Sequence, residues 1–252
     1  MTYLRLLVVL TRKNYEISGL ANMKILSIDT SSATCTVGLV NGGEVVAESV
    51  DDSGQTHARH IMTMLDDTLN LAGLGLEDLD GFGVITGPGT FTGLRIGIST
   101  VQGMAYALSK PVAGITSLDA LATQAETDLP YICPMVDARR QEVYYGFYAL
   151  LDQGLEQTAP HQVASPAALL EQIQDPCYFL GTGARMYRQY ISDTLGSRAS
   201  FSEADRDRIH SATIAKLAQA QLQGAAGQQR PDISPTYIRR SDADVKARQP
   251  GR

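Results

Sequence analysis

Gly87-Pro88-Gly89-Thr90-Phe91-Thr92-Gly93-Leu94-Arg95-Ile96-Gly97 is the stretch on which the reading of this sequence turns. It follows a short apolar run, Phe82 to Ile85, and leads into a segment with almost no charge, Leu94 to Leu108. The pattern reads as strand, tight loop and helix. Glycine permits positive φ and the close approach of another backbone or a ligand. Thr90 or Thr92 is placed to cap the helix. A glycine-rich loop feeding a helix N-terminus can also hold an anion, because its unpaired N–H groups and the helix dipole point the same way. The standard nucleotide loops do not fit. The Walker pattern requires a lysine after its last glycine, and here Gly93 is followed by Leu94 and Arg95. Gly87, Gly89 and Gly93 miss the dinucleotide G-x-G-x-x-G spacing by one residue. Spacing alone therefore favours a strand-to-helix turn with close helix packing over a phosphate site.

The chain has 252 residues, enough for one large domain or two small ones. Apolar residues make up 44% and charged residues 19%, which supports a substantial core and excludes global disorder. The net charge is −6, and no basic run precedes Arg239-Arg240. Nucleic-acid binding by this chain alone is not indicated, since phosphate neutralisation requires clustered Lys and Arg. Cys35, Cys133 and Cys177 are widely spaced and form no C-x-x-C, so neither a zinc site nor a redox pair is expected. Their odd number fits a reducing cytoplasm. Leu4 to Leu10 is too short to span a membrane. Arg12 and Lys13 follow that run, the wrong order for a signal peptide. Met23 opens an uninterrupted strand signal, so residues 1–22 read as a poorly ordered N-terminal extension.

From Met23 the order is clear. Strands are expected at 24–29, 35–40 and 44–49, with Asn41-Gly42-Gly43 as a hairpin turn. A helix from His57 to Ala72, capped near Thr56, stops at Gly73 and Gly75. Phe82 to Ile85 is the fourth strand, followed by the helix from about Thr92 to Ser109. Pro111 to Ile115 is a fifth strand, and Ser117 is expected to cap a helix to about Glu126. The order β-β-β-α-β-α-β-α describes a mixed sheet with helices on its faces, an α/β domain over 23–128. A smaller second domain is expected over 129–238. Tyr131 to Val136 and Val143 to Leu150 read as paired strands. Ser165-Pro166 starts a helix to about Gln174, Cys177 to Leu180 is a strand, and Ser211 is expected to cap a helix from Ala212 to Gln223. The tail over 239–252 reads as flexible.

Two helices are too apolar for one sheet face. Ala58, Ile61, Met62, Met64, Leu65, Leu69, Leu71 and Ala72 cover about half the circumference of the first. In the second, Leu94, Ile98, Val101, Met104, Ala105 and Leu108 form a core stripe, while Ile96, Ser99, Thr100, Gly103 and Ala107 lie opposite. Arg95 is its one charge. A helix uncharged all round is buried all round. Its glycines each cost about 1 kcal/mol relative to Ala, which close approach of a neighbouring helix would offset. Burial within the chain is one reading; a partner surface is preferred, because both helices show the same excess. The expected interface is Ala58, Ile61, Met62, Leu65 and Leu69 on the first helix, with Ile96, Thr100, Gly103 and Ala107 on the second.

Asp29-Thr30-Ser31-Ser32 ends the first strand. It suits a phosphate hairpin with a metal-coordinating Asp, or an Asx turn joining two strands; the second reading is simpler. Asp29, Thr30, Ser31, Gly87 and Gly89 are thus degenerate phosphate-loop candidates. They would hold ATP or ADP with Mg²⁺ weakly, if at all, and no cofactor is otherwise expected. His57 and His60 lie three apart on a predicted helix, but no third ligand is identifiable, so no metal site is assigned. Asp137 resembles a second phosphate-loop acid without the glycines such a loop needs. Gly181-Thr182-Gly183 fits either a nucleoside contact or a turn. No Ser, Cys or Lys nucleophile stands in a recognisable elbow, and Cys35 reads as core.

Lys24-Ile25-Leu26-Ser27-Ile28-Asp29-Thr30-Ser31, the Gly87–Gly97 motif and Asp137-Ala138-Arg139-Arg140-Gln141-Glu142-Val143-Tyr144 together resemble the TsaB (YeaZ) family, over about residues 23–240. The resemblance implies the actin-like ATPase (ribonuclease H-like) fold. It implies a cytoplasmic role in making N6-threonylcarbamoyladenosine at position 37 of ANN-decoding tRNAs. The family member is taken to be the non-catalytic partner of the transferase TsaD, in a heterodimer that works with the ATPase TsaE. In the family the N-terminal helices pair with those of TsaD, or with a second copy as a homodimer, and tRNA is met through the complex. TsaD carries a His-x-x-x-His metal motif, whereas His57-Ala58-Arg59-His60 is one residue short. Two rival readings remain: a nucleotide-dependent transferase in its own right, using Asp29, and a glycoprotease-type metallopeptidase using His57 and His60.

Overall fold

The computed structural model describes residues 23–53, 57–152, 154–224 and 233–239. The expectations for residues 1–22, the Thr56 cap, the His57 side chain and the tail beyond 239 lie outside the described residues.

The first sheet begins with β1 (Lys24–Asp29), β2 (Cys35–Asn41) and β3 (Glu44–Asp51), paired antiparallel in sequence. Gly42 and Gly43 turn the hairpin at φ of 58° and 94°, the sign a tight hairpin requires. Helix α1 (His57–Ala72) ends where Gly73 adopts φ 66° and the Leu74 N–H reaches back to the Leu69 carbonyl at 3.1 Å. A short 3₁₀ turn at Leu76–Asp78 is an addition the sequence did not announce. Then come β4 (Gly81–Gly87), α2 (Phe91–Leu108), β5 (Val112–Thr116) and α3 (Ser117–Thr123). β4 runs parallel to both β1 and β5, giving the order β3-β2-β1-β4-β5. The expected β-β-β-α-β-α-β-α succession is the one found. The α3 cap is corrected: Thr116 Oγ1 accepts the Asp119 N–H at 3.1 Å, while the Ser117 hydroxyl donates to the Pro88 carbonyl at 2.8 Å.

The second sheet is built on β6 (Tyr131–Asp137), flanked by β7 (Val143–Tyr145), β8 (Tyr148–Leu151), β9 (Gly154–Gln157) and β10 (Gln162–Ala164). The chain continues through α4 (Pro166–Leu170), β11 (Cys177–Leu180), α5 (Thr182–Met186), α6 (Arg188–Leu195), β12 (Ala199–Phe201) and α7 (Ser211–Gly224). Its order is β10-β7-β6-β11-β12, with β8 on β6 and β9 on β8. The single strand expected over Val143–Leu150 is two. Ile132 opposes Tyr148 and Met135 opposes Tyr145, so the register does not slip. Pro134 between them has no N–H to donate, and the ladder breaks across from it at Gly146 and Phe147. The helix expected to reach Gln174 stops at Leu170, and the chain leaves it through three-residue turns to Leu169 and Leu170.

α7 follows the second sheet in sequence but packs on the first, against β1, β2, β4 and β5. Neighbouring residues of β4 show both faces covered. A Cβ added to Gly83 would lie 2.9 Å from Ala218 of α7. On the other face Val84 is the neighbour of Gly97 in α2, 3.6 Å from a Cβ built there. Ser211 is not a cap, as expected, but the first residue of α7; its N–H donates to Glu48 Oε1 at 3.2 Å and its hydroxyl donates to the same oxygen. Residues 233–239 then cross back over the first sheet. Gln102 Nε2 donates to the Ile233 carbonyl at 2.8 Å, and the Thr236 N–H donates to the Thr86 carbonyl at 2.8 Å. Arg239, expected to be loose, is corrected: it donates to the Ala138 carbonyl at 2.8 Å and pairs with Glu142.

Candidate functional site

β1 and β4 are parallel neighbours, so their C-terminal ends lie side by side and the glycine loop settles on the turn after β1. That turn is buried at Asp29, Thr30 and Ser31, and the Ser31 N–H donates to Asp29 Oδ1 at 2.8 Å. The Thr90 N–H donates to the Ser31 carbonyl at 2.7 Å, and the Thr30 hydroxyl donates to the Gly93 carbonyl at 2.7 Å. A Cβ on Gly89 would stand 2.5 Å from the Ser31 carbonyl oxygen. On Gly93 it would stand 1.9 Å from that of Thr30, and on Gly97 2.4 Å from Thr30 Oγ1. Gly87, at φ 119°, meets the Thr236 carbonyl in the same way. The five candidate phosphate residues therefore do converge. Their glycines are explained by contact with this chain's own backbone, not by an approaching helix. Thr90 occupies the N-cap position of α2 without a side-chain capping bond. Beside this turn, burial, then the Asp29 and Asp51 carboxylates, push the Cys35 thiol up to about 12, which leaves it an inert core group.

The second loop follows β6. The Arg139 N–H donates to Asp137 Oδ1 at 2.8 Å. Arg139, Arg140 and Gln141 then hold φ of 60°, 54° and 59°, three consecutive left-handed residues. That conformation costs roughly 1–2 kcal/mol per non-glycine residue. Arg239 grips this turn at the Ala138 carbonyl and Glu142. Gly181-Thr182-Gly183 is a strand-to-helix turn: Gly181 sits at φ 98°, its N–H donates to buried Asp207, and Thr182 opens α5. His60 is half-buried on α1, and among the described residues no three His, Cys, Asp or Glu side chains gather to hold a metal.

Between α1 and α2 runs a groove of about 570 Å³. α1 contributes Ala58, Ile61 and Met62. α2 contributes Phe91, Thr92, Arg95, Ile96, Ser99 and Thr100. Met62 is 52% exposed, and Ile96 and Thr100 are half-buried. Leu65 and Leu69 are corrected: with 1% and 6% exposure they belong to this chain's core, and Ile61 at 3% reaches the groove only from below. Gly103 and Ala107 are exposed farther along α2, outside the groove lining. At the mouth Arg95 lies over the Phe91 ring, its guanidinium carbon 3.8 Å from the centroid. Its Nε donates to the Tyr237 hydroxyl at 3.4 Å, and Tyr237 stacks on Phe91 at 5.6 Å. The sequence held no sign of this Tyr237 contact.

A second cluster escaped sequence reasoning because it is drawn from α3, β8 and the loop before β10. The Tyr148 hydroxyl donates to Asp119 Oδ1 at 2.7 Å and lies 2.7 Å from His161 Nε2. Burial lowers the His161 pKa from the ordinary 6.5, opposed by the Asp119 carboxylate. A folded chain that binds this proton less readily than the unfolded one has its full stability above pH 6.5, and loses it as pH falls through 6.5 towards the depressed value. The thermal midpoint is expected to drop between about pH 7 and about pH 5, and to drop less in His161→Gln. Equal slopes in circular-dichroism melts would refute the assignment.

The chain matches the family model described as TsaD, tRNA N6-adenosine threonylcarbamoyltransferase, over residues 44–247. It is 31% identical over 231 residues to the tRNA threonylcarbamoyladenosine biosynthesis protein TsaB of Bacillus subtilis, covering 89% of this chain and 97% of that protein. The TsaB of Haemophilus influenzae is 34% identical over 187 residues, covering 69% and 78%. The solved structure of YeaZ from Pseudomonas aeruginosa superposes with TM-score 0.69 and 28% identity, covering 85% of this chain and 99% of that one. An activator of 2-hydroxyisocaproyl-CoA dehydratase from Clostridium difficile shares the fold at TM-score 0.53 and 10% identity, covering 83% of this chain and 99% of that one. The fold is that of the actin-like ATPases. The chain belongs to the TsaB (YeaZ) family.

Proposed function

We propose that this chain serves the biosynthesis of threonylcarbamoyladenosine in tRNA as a docking subunit. Its α1–α2 groove receives helices of a TsaD-type transferase, and the transfer chemistry belongs to that partner. The observation that carries this reading is the exposed, mostly apolar groove between two helices whose other faces are already buried on the first sheet. A family whose members are named for this pathway supplies the reaction. TsaE and tRNA join through the assembled complex, and no nucleotide need bind here.

Ile96→Glu places a carboxylate among apolar groups of the groove. It is expected to weaken binding to the TsaD-type partner more than tenfold, while the melting temperature stays near wild type. Size-exclusion chromatography and calorimetry on the mixed chains read this directly. The rival reading makes the chain a nucleotide-using transferase through Asp29. Asp29→Asn keeps an acceptor for the Ser31 N–H but removes the charge. Under the docking reading, tRNA modification by the reconstituted system stays within about threefold of wild type. Loss of modification with the complex intact would favour the rival.

A further inference from the structure

We propose that residues 233–239 act as a strap that ties the glycine loop of the first sheet to the turn after β6, so that the two loops keep their conformations together or lose them together. The inference is independent of the docking reading.

The strap belongs to no helix or strand, so its course is set by the groups it crosses. Buried Ile233 comes within 3.3 Å of a Cβ built on Gly114 of β5, and its carbonyl accepts Gln102 Nε2 at 2.8 Å. The Thr236 N–H donates to the Thr86 carbonyl at 2.8 Å, and the two threonine hydroxyls lie 3.3 Å apart. The Thr236 carbonyl stands 2.9 Å from a Cβ built on Gly87, so the strap rests on the residue that opens the glycine loop. Tyr237 then stacks on Phe91, and its hydroxyl accepts the Arg95 Nε–H. Two residues later Arg239 has reached the second sheet. It donates to the Ala138 carbonyl at 2.8 Å, pairs with Glu142, and lies over Tyr144 of β7, its guanidinium carbon 5.7 Å from the ring centroid. Three residues of chain reach about 10 Å at most, so little slack separates the contacts of Thr236 from those of Arg239.

The turn after β6 is a structure that needs such a brace. Arg139, Arg140 and Gln141 are all left-handed, a conformation that persists in non-glycine residues only where the surroundings over-determine it. Inside the turn, the Ala138 N–H donates to the Glu142 carbonyl and the Glu142 N–H to the Arg139 carbonyl, both at 3.0 Å. Arg239 holds Ala138 and Glu142 from outside, the two residues that bracket the left-handed three. Withdrawing Arg239 removes the brace at both ends. Conversely, a turn that relaxes carries Ala138 and Glu142 away from Arg239 and leaves the strap attached to the first sheet alone. Coupling of this kind acts equally in both directions.

Amide hydrogen exchange on the full chain, read by NMR, tests both directions. The turn is followed at the Ala138 and Glu142 amides, the strap at Thr236, and the core at Leu26, fully buried in β1. Arg239→Ala is expected to speed exchange at all three strap and turn amides about tenfold or more. Tyr237→Ala removes contacts with α2 only, yet should speed exchange at Ala138 and Glu142 about threefold or more. Glu142→Gln, a mild change in the turn, should speed exchange at Thr236 by a similar factor. The Leu26 amide should keep its wild-type rate throughout. Tyr237→Ala that frees Thr236 and leaves the turn at its wild-type rates would overturn the proposal. So would Glu142→Gln that frees the turn and leaves Thr236 unchanged, a result that stands even where Tyr237→Ala fails to fold. Equal acceleration at Leu26 would mean that the whole chain opens at once, and the strap would then couple nothing in particular.

Discussion

Gly93→Ala is expected to destabilise the chain by about 3 kcal/mol or more, enough to leave a marginal domain partly unfolded. The new methyl would fall 1.9 Å from the Thr30 carbonyl oxygen, a backbone atom that cannot rotate away. Relief requires separating α2 from the end of β1, which breaks the Thr30–Gly93 hydrogen bond of 2.7 Å and the Thr90–Ser31 bond of 2.7 Å. Two other glycines of the same helix calibrate the effect. Gly97→Ala meets a side-chain hydroxyl, Thr30 Oγ1, at 2.4 Å, so rotation at Thr30 can lower the cost to about 1–2 kcal/mol. Gly103→Ala meets nothing within 4 Å and should gain up to about 1 kcal/mol from helix propensity. One chemical change thus spans opposite signs along one helix, and urea midpoints read all three. A Gly93→Ala midpoint close to wild type would mean that the loop moves freely, and close packing would no longer explain its glycines.

Glu48→Ala should cost about 3 kcal/mol, through a different mechanism. Glu48 Oε1 accepts both the N–H and the hydroxyl of Ser211, which is fully buried. Its other oxygen stands 3.7 Å from Arg208. Removing the carboxylate strands two buried donors and takes one of two carboxylate neighbours from Arg208, which keeps Asp205 at 3.1 Å. No protein group can replace it from the other side, because Ser211 presses on Gly38 there. Glu48→Gln keeps one acceptor and should recover about half of the loss. Equal denaturation midpoints for Glu48→Ala and wild type would show that water fills the gap without penalty.

Those two sites also show what could be read from the chain. The first sheet was legible because its signals are local. Asn41-Gly42-Gly43 dictates a hairpin, Gly73 ends α1, and Gly87–Gly97 places a tight turn between a buried strand and a helix. The second sheet was harder. Pro134 splits its partner strand, and β9, β10 and β12 are too short for a period to show. The apolar excess of α1 and α2 was legible, and Met62 and Ile96 carry part of it into the exposed groove between them. A helical wheel cannot say which part of a broad stripe faces its own sheet, so Leu65 and Leu69 were assigned outward although they point inward. The Phe91–Tyr237 stack and the Asp119–Tyr148–His161 cluster join residues far apart in sequence, which no local pattern encodes. Ser211 showed the same limit: a serine before a helix looks like a cap, and only the third dimension brings Glu48 to it.

The return of α7 to the first sheet has a consequence for how the chain is made. The strands of that sheet are finished at Thr116, yet one face stays uncovered until Ser211–Gly224 arrives. At ribosomal rates of about 5–20 residues per second, the delay is on the order of 5–20 s. During that interval a growing chain displays Ile25, Gly81 and Gly83 with no helix above them, beside the parallel pairing of β1, β4 and β5. Nascent chains of this protein thus have to be kept apart until α7 has been made. The stretch that ends the exposure comes only after every strand of the second sheet has been made.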